Sequence, residues 1–214
     1  PKTPKPQNPK TPIQYLISMN NVVILGGKRT AIGTFMGGLS QFSAPYLGSV
    51  ALKGAISSSH VSKDDIEEVY FGNVIPAGSG QAPDRQAVLG AELDKRTVST
   101  LVNKVCASGM KSVMLGASSI KTGERSVIAA GGMECMSRVP HYVQIRTPTT
   151  YAHSQMVDGL INDGLTDVYN NIPMGTCTEK VNSDMGITRE MQDQWAIRSY
   201  ERARESQSNG AFAW

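Results

Sequence analysis

The sequence predicts an α/β fold with a mostly parallel sheet. Short apolar runs, several of them ending in glycine, alternate with amphipathic helical patterns from about residue 21 to about residue 132. The apolar runs are rich in β-branched residues, which favours strands. Strands that alternate with helices in this way are typical of an α/β layer built on parallel strands. No internal repeat is visible in the sequence.

The predicted elements follow in order along the chain. The expected strands are NVVILGG (21–27), VYFGNVI (69–75), TVSTLVNKV (97–105) and SVIAAGG (126–132). The expected helices are 45–59, 81–93, one from Ser108 towards Gly123, and one from about Thr188. Ser62 is expected to cap a short acidic turn. Segment 139–180 is interrupted by Pro, Thr, Asn and Gly residues and shows little hydrophobic periodicity, so we expect an irregular excursion over the sheet. Such long excursions are more often functional than decorative.

Composition indicates an ordinary globular protein with a neutral body. Hydrophobic residues make up 40% and charged residues 18% of the 214 residues, and no apolar run approaches the length of a membrane span. The first 20 residues hold Lys2, Lys5 and Lys10 and no acidic residue, which accounts for the formal net charge of +3, because the remainder carries 18 basic and 18 acidic residues. This balance gives no argument for a nucleic acid or a membrane as partner, and we expect neither.

The first 20 residues are expected to form a disordered leader rich in proline and lysine. The five prolines within residues 1–12 are incompatible with the helix of a transit peptide and with the apolar core of a signal peptide. The chain begins without methionine, which leaves open a targeting segment that has been removed. Cys106, Cys135 and Cys177 lack Cys-x-x-Cys spacing, which indicates free thiols rather than disulfides or a zinc site. We therefore expect no metal and a cytoplasmic protein, with the mitochondrion as the alternative.

One cysteine stands where a strand is expected to give way to a helix. From Ser108 onwards, apolar side chains recur at the spacing of one helical face: Met110, Val113, Met114, Ala117 and Ile120. Cys106 therefore lies at or just before the first turn. The free N–H groups and the positive dipole end of a helix favour a thiolate there, and strand-to-helix corners often present nucleophiles. Gly109 would let a ligand or another chain approach the backbone. On spacing alone, a small buried residue that happens to be cysteine is an equal alternative.

Five segments carry a resemblance to a known family: GGKRTAIGTFMGGLS, GSGQAPDRQAVL, NKVCASGMKSVMLGASSIKTGE, AAGGMECMSRVPHY and DGLTDVYNNIPMGTCTEK. In this order, from about Val22 to the last residue, the chain resembles the thiolases, and most of all their acetyl-CoA acetyltransferase (acetoacetyl-CoA thiolase) branch. The resemblance implies a layered αβαβα fold of two similar halves, with a loop domain over the first half that binds coenzyme A. It also implies homo-dimers or homo-tetramers. It divides this chain into an N-terminal α/β domain at 21–135 and an incomplete loop domain at 136–214, with the C-terminal half absent.

The resemblance also gives Cys106 a chemical role. In thiolases the matching cysteine attacks the thioester of acetyl-CoA, releases CoA and carries the acetyl group. A second acetyl-CoA then takes up this group to give acetoacetyl-CoA, and the reverse reaction is thiolysis. The resemblance implies that the backbone N–H of Cys106 is one donor of an oxyanion hole. It further implies that Met174 lines the acyl pocket and Leu165 the pantetheine tunnel. No cofactor is expected, because the coenzyme A thioester is the substrate.

The chain departs from the thiolase pattern in three ways. Thiolases have a second half, whose Gly-His-Pro, Cys-x-Gly-Gly and Asn-Glu-x-Phe motifs supply the remaining catalytic groups and do not occur here. Pro173 stands where many bacterial-type members have a histidine before the Met-Gly pair, so substrate contact there would be apolar or made by the backbone. Ala107 replaces a glycine that often follows the nucleophile, a change that we expect to be tolerated. Met174 has the alternative role of a packed core methionine.

These departures leave more than one function open. The chain is either an acetyl-CoA C-acetyltransferase, seen here as its N-terminal part, or a catalytically incomplete fragment or pseudoenzyme that binds CoA or a partner. A 3-ketoacyl-CoA thiolase of longer chains is a further alternative. A cysteine protease would need a histidine partner, and nothing singles out His60, His141 or His153, which we expect at the surface or in loops. The chain stops just after a helix, so we expect it to be part of a longer protein.

Several other residues are given structural roles. Glu134 matches a thiolase glutamate at a strand end and is expected to be buried and structural. Cys135 and Cys177 are expected to be small packed residues without a catalytic role. Arg202 and Arg204 are expected on a solvated helix face, with contact to CoA phosphates as the alternative.

Overall fold

The computed structural model describes residues 21–146 and 151–211. The expected leader at 1–20 lies outside these described residues. The chain divides into two compact units, Pro1–Leu160 and Ile161–Trp214.

The first unit is built on a three-stranded parallel sheet. Its strands are β1 (Glu68–Gly72), β2 (Val98–Val102) and β3 (Ile128–Gly132), and they lie in the order β2-β1-β3. Glu68 pairs in register with Val98 on one side and Ile128 on the other. The helices of this unit are α1 (Ala44–Ser59), α2 (Pro83–Gly90) and α3 (Ser108–Lys121). The predicted parallel α/β arrangement is therefore confirmed.

Helices lie on both faces of this sheet. Side chains alternate along a strand, so Val69 and Phe71 of β1 point to one face and Gly72 to the other. Val69 and Phe71 belong to a buried core that includes Leu52 of α1 and Val88 of α2. On the opposite face α3 packs against β1 and β3. The carboxyl ends of all three strands therefore lie beside the start of α3.

Local signals in the sequence account for the helix ends. The Ser43 hydroxyl caps α1 by accepting the N–H of Tyr46 at 3.3 Å. Ser62 caps the short helical turn Lys63–Asp65 in the same way, as predicted. Gly123 has a φ of +75° just after α3, the left-handed conformation that commonly ends a helix.

The predicted strand at 21–27 is wrong. This segment has no regular structure, and Val23 and Ile24 are 66% and 83% exposed. A strand needs a neighbouring edge to satisfy its backbone groups. In the described part of the chain, the segment and the open edge of β3 instead line a cavity of about 460 Å³ between them. The cavity thus separates the β-branched run from the strand edge with which it could pair.

Part of the predicted irregular excursion is regular. In the first unit, β4 (His141–Tyr142) and β5 (Val157–Asp158) form an antiparallel pair. In its described residues, the second unit holds a π-helical turn at Ile161–Leu165, followed by β6 (Thr166–Asp167), β7 (Ile172–Pro173), α4 (Met174–Asp184) and α5 (Arg189–Ser208). The sequence did not predict α4, because its Thr, Asn and Ser residues have weak helix propensity. It did predict α5, whose cap is Thr188. The predicted division into domains at residue 135 stays a prediction.

Candidate functional site

Cys106 lies on the corner between β2 and α3. Residues 103–107 join Val102, the last residue of β2, to Ser108, the first residue of α3. Cys106 is exposed, so the structure does not support the alternative of a small buried residue. The predicted placement of this cysteine at the start of the helix is confirmed, whereas its role as nucleophile stays a prediction.

The residue before Cys106 has a strained backbone. Val105 has a φ of +50°, in the left-handed region that residues with a Cβ adopt at a cost of about 1–2 kcal/mol. Such a conformation is rarer still for a β-branched residue. It persists only where the surrounding structure enforces it, and such strain clusters at functional sites.

Hydrogen bonds hold the peptide groups on both sides of Val105. Its N–H donates to Oδ1 of Asn103 at 3.0 Å. Its carbonyl accepts a hydrogen bond from Oγ of Ser108 at 2.5 Å and a second from the N–H of Ser108 at 3.0 Å. Oγ of Ser108 also accepts the N–H of Lys104 at 2.8 Å. The N–H of Cys106 is not among the donors that these hydrogen bonds use.

Glycine lets the start of α3 approach the sheet closely. A Cβ added to Gly72, at the end of β1, would lie 2.6 Å from the amide nitrogen of Gly109 and from the carbonyl carbon of Ser108. Side chains do not make contacts this short with backbone atoms. The corner that carries Cys106 is therefore set against the sheet at a distance that only glycine at position 72 permits.

Glu134 links the loops that follow the strands. One of its carboxylate oxygens accepts the N–H of Val74 at 2.7 Å and the other accepts Nδ2 of Asn73 at 2.8 Å. Burial raises the pKa of Glu134, although hydrogen bonds from Val74, Ile75 and Asn73 act in the opposite direction. The carbonyl of Val74 in turn accepts Nδ2 of Asn103 at 3.0 Å. Glu134 is thus connected to the cysteine corner through two hydrogen-bonded residues.

A cavity of about 380 Å³ lies beside Glu134 in the first unit. Its lining comes from residues 28–40 together with parts of α1 and of segment 132–137. Cys135 lines this cavity and packs against the buried core, as expected of a structural cysteine. Cys106 is not among the lining residues.

The two predicted substrate contacts belong to the second unit. Leu165 ends the π-helical turn and Met174 begins α4, where Pro173 occupies the N-cap position. The two residues are 45% and 46% exposed, so neither is packed in a core within this unit. Cys177 is half-buried in α4. The roles of Leu165 and Met174 in binding stay predictions.

The three histidines lie at exposed positions. His60 has a φ of +58° at the C-terminal end of α1. His141 lies in β4, with Nε2 3.8 Å from a carboxylate oxygen of Asp158. His153 lies in the segment before β5. The expectation of surface or loop histidines is confirmed for all three.

Sequence reasoning missed the residues that shape the corner. Neither the left-handed backbone of Val105 nor the role of Asn103 was predicted. A signal was nevertheless present, because an asparagine side chain commonly bonds the backbone two residues further on.

The described residues hold neither a metal-binding cluster nor a membrane-spanning helix. No group of three or more His, Cys, Asp and Glu side chains in residues 21–146 and 151–211 is arranged to hold a metal ion. None of the helices described for the chain combines the length and the apolar character needed to cross a membrane.

Comparison with protein families and curated sequences gives consistent matches. A family model described as "Thiolase, N-terminal domain" matches residues 22–214. Acetyl-CoA acetyltransferase, mitochondrial, from Rattus norvegicus is 49% identical over 196 residues, which is 92% of this chain and 46% of the relative. Acetyl-CoA acetyltransferase 2 from Arabidopsis thaliana is 46% identical over 199 residues, which is 92% of this chain and 49% of the relative.

A solved structure matches the fold. The crystal structure of Acat5 thiolase from Ascaris suum in complex with coenzyme A superposes with a TM-score of 0.83 and 41% sequence identity. The match covers 89% of this chain and 50% of the Ascaris chain. The chain described here therefore spans about half the length of the relatives that it matches.

Proposed function

The chain belongs to the thiolase family, and on this premise we propose that it is the N-terminal part of an acetyl-CoA C-acetyltransferase in which Cys106 carries the acetyl group. The observation that carries this proposal is an exposed cysteine on a hydrogen-bonded strand-to-helix corner. The names of relatives that are 46–50% identical to the chain support the choice of reaction. The chain has the α/β fold of a thiolase N-terminal half.

The proposed chemistry has two steps. The Cys106 thiolate attacks the carbonyl carbon of acetyl-CoA, a carbon–sulfur bond forms, and CoA leaves as its thiolate. A second acetyl-CoA then loses a proton from its methyl group to a general base, and the resulting carbanion attacks the acetyl carbonyl. The carbon–sulfur bond to Cys106 breaks, which releases the Cys106 thiolate and acetoacetyl-CoA. The N–H of Cys106 is the proposed donor to the oxyanion of both steps, since the corner's own hydrogen bonds do not use it.

Substrate recognition is proposed to involve the second unit. Leu165 and Met174 are exposed apolar side chains that suit the pantetheine and acyl parts of the substrate. Coenzyme A is bound in the Ascaris thiolase, which supports CoA as the ligand here. We also propose that the protein forms a homo-dimer or a homo-tetramer, and light scattering would measure the molar mass of the assembly. Mitochondrial location is favoured over the predicted cytoplasm, because the rat, zebrafish and bovine relatives are named as mitochondrial.

A second candidate function has its own support. The chain spans about half the length of its relatives, and it has no Gly-His-Pro, Cys-x-Gly-Gly or Asn-Glu-x-Phe motif. A chain that lacks a general base cannot deprotonate the second acetyl-CoA. We therefore propose that residues 1–214 alone accept an acetyl group without condensing it, and that any role of this chain on its own is to bind CoA or a partner.

Intact-mass spectrometry after incubation with acetyl-CoA tests both candidates. We expect one acetyl group on the Cys106 peptide, its loss in Cys106→Ser, and its retention in Cys135→Ser and Cys177→Ser. Acetoacetyl-CoA should not accumulate with this chain alone. An unlabelled Cys106 would contradict the acyl-carrier role and leave CoA or partner binding. Accumulation of acetoacetyl-CoA would contradict the need for further catalytic groups.

A further inference from the structure

The strained backbone before Cys106 needs a residue to hold it. Val105 lies in the left-handed region at φ +50°, where neither its Cβ nor its branched side chain is favourable. Two side chains reach its flanking peptide groups: Asn103 accepts its N–H and Ser108 donates to its carbonyl. Rotation about either bond of the Val105 Cα would break one of these hydrogen bonds. The two residues together therefore define the backbone conformation of Val105.

This conformation sets the direction of the Cys106 N–H. A peptide group is planar and trans, and no cis peptide occurs in the described residues. The N–H of Cys106 therefore points opposite to the carbonyl of Val105, which Ser108 holds through its hydroxyl and its N–H. Any change at Val105 turns the N–H of Cys106 with it.

The Asn103 side chain is itself anchored to the sheet. Nδ2 donates to the carbonyl of Val74 at 3.0 Å, and the N–H of Val74 donates to the carboxylate of Glu134 at 2.7 Å. Val74 follows β1 and Glu134 follows β3, whereas Asn103 follows β2. One chain of hydrogen bonds thus crosses the carboxyl ends of all three strands and ends at the peptide group before Val105.

We propose that Asn103 is a positioning residue for Cys106, which holds Val105 left-handed against Ser108 and thereby aims the Cys106 N–H at the oxyanion. Asn103 touches no reacting atom. This inference rests on the proposed function, because it assigns the Cys106 N–H a part in acyl transfer. It goes beyond that function in naming the residue that orients the donor.

Two reagents separate donor position from thiol reactivity. p-Nitrophenyl acetate acylates Cys106 through a tetrahedral oxyanion and needs no CoA site, whereas iodoacetamide alkylates the thiolate by displacement without an oxyanion. The readout is the rate constant for acylation divided by the rate constant for alkylation, both measured at the Cys106 peptide from pH 6 to pH 10. We expect Asn103→Ala to lower this ratio about tenfold, because a misdirected N–H loses part of the stabilisation that one oxyanion donor supplies. Asn162→Ala, which removes an exposed asparagine of the second unit, should leave the ratio unchanged.

A glycine at position 105 supplies the rescue. Glycine occupies the left-handed region without strain, so in a Val105→Gly background the further change Asn103→Ala should lower the ratio less than threefold. A purely structural role of Asn103 would give equal losses in both backgrounds. Should Asn103→Ala alone fail to fold, as judged by far-UV circular dichroism, Asn103→Asp carries the test. Its carboxylate keeps an acceptor for the Val105 N–H but cannot donate to the carbonyl of Val74, so it should lower the ratio, and an unchanged ratio would overturn the positioning role.

The outcomes also separate this inference from the proposed function. An unchanged ratio in Asn103→Ala, or a tenfold loss in the glycine background as well, overturns the positioning role even if acetyl-CoA labels Cys106. A lowered and rescued ratio supports the positioning role even if acetyl-CoA leaves Cys106 unlabelled, in which case the acetyl-CoA assignment alone fails.

Discussion

Replacing Gly72 with alanine tests whether the cysteine corner depends on a close approach of helix to sheet. The added Cβ would lie 2.6 Å from backbone atoms of Ser108 and Gly109, whereas ordinary contact begins at 3.4 Å. The first turn of α3 would therefore have to move by about 0.8 Å, the difference between these distances, to restore ordinary contact. Neither neighbour is a flexible side chain that could turn aside, so the helix start itself must shift.

Two effects follow from this displacement. Overpacking of a buried site costs about 1–3 kcal/mol, so we expect the free energy of unfolding of Gly72→Ala to fall by that amount. A misplacement of about 1 Å in a catalytic group costs about 10²-fold in rate, so acylation of Cys106 should fall steeply as well. Urea unfolding followed by far-UV circular dichroism measures the first effect, and the rate of Cys106 acylation measures the second.

Gly109→Ala is the matched control for this substitution. Position 109 faces the same contact from the helix side, but an added Cβ would find its nearest atoms at 3.9 Å, which is ordinary contact. Alanine within a helix is favoured over glycine by about 1 kcal/mol, so this variant should be as stable as the parent or more so. Equal urea midpoints for the two variants would refute the argument from close approach.

Three further predictions concern charge and capping. Arg96 lowers the pKa of Asp94 from its ordinary value of 3.8 to about 2. The ionised carboxylate therefore contributes stability above pH 3.8, and this contribution is lost as the pH falls towards 2. Arg96→Ala should return the NMR titration midpoint of Asp94 towards 3.8. Burial raises the pKa of Glu134 above 4.5, so its contribution to the free energy of unfolding is present below pH 4.5 and is lost as the pH rises through the folded-state pKa. Glu134→Gln should flatten that part of the plot of unfolding free energy against pH. An unchanged slope would count against this prediction. Thr188→Ala should destabilise α5 by about 1 kcal/mol in hydrogen exchange, with Thr188→Ser close to the parent.

Elements with a regular pattern of hydrophobic residues could be predicted from the sequence. Strands β1, β2 and β3 lie within the predicted runs or begin one residue outside them, and α1 and α3 have nearly the predicted limits. The position of Cys106 between β2 and α3 followed from these two periods alone. Periodicity succeeds here because a regular element places its apolar side chains at regular intervals, even in α3, where Met110, Val113 and Met114 of the predicted face are exposed.

Features that depend on a neighbour could not be predicted in this way. Segment 21–27 has the composition of a strand, but pairing depends on an adjacent edge that local sequence does not specify. The left-handed Val105 was equally hidden, because a β-branched residue is the least expected one at positive φ. Its conformation is set by Asn103 and Ser108, one on each side, and not by its own preference. The candidate site was therefore located by pattern, whereas its geometry required the structure.

The two sides of α3 differ in the size of their side chains. Its buried residues are small, namely Ser108, Ser112, Gly116 and Ser119. Its larger apolar residues Met110, Val113 and Met114 are 70%, 48% and 55% exposed. Amphipathic helices normally bury their large apolar side chains on the sheet. A helix that packs small residues on one sheet and presents a stripe of large apolar ones on its other side is suited to a middle layer of a layered fold, such as the αβαβα arrangement that the resemblance to thiolases implies. The small residues bring the cysteine corner close to its own sheet, and the apolar stripe is available to a second one.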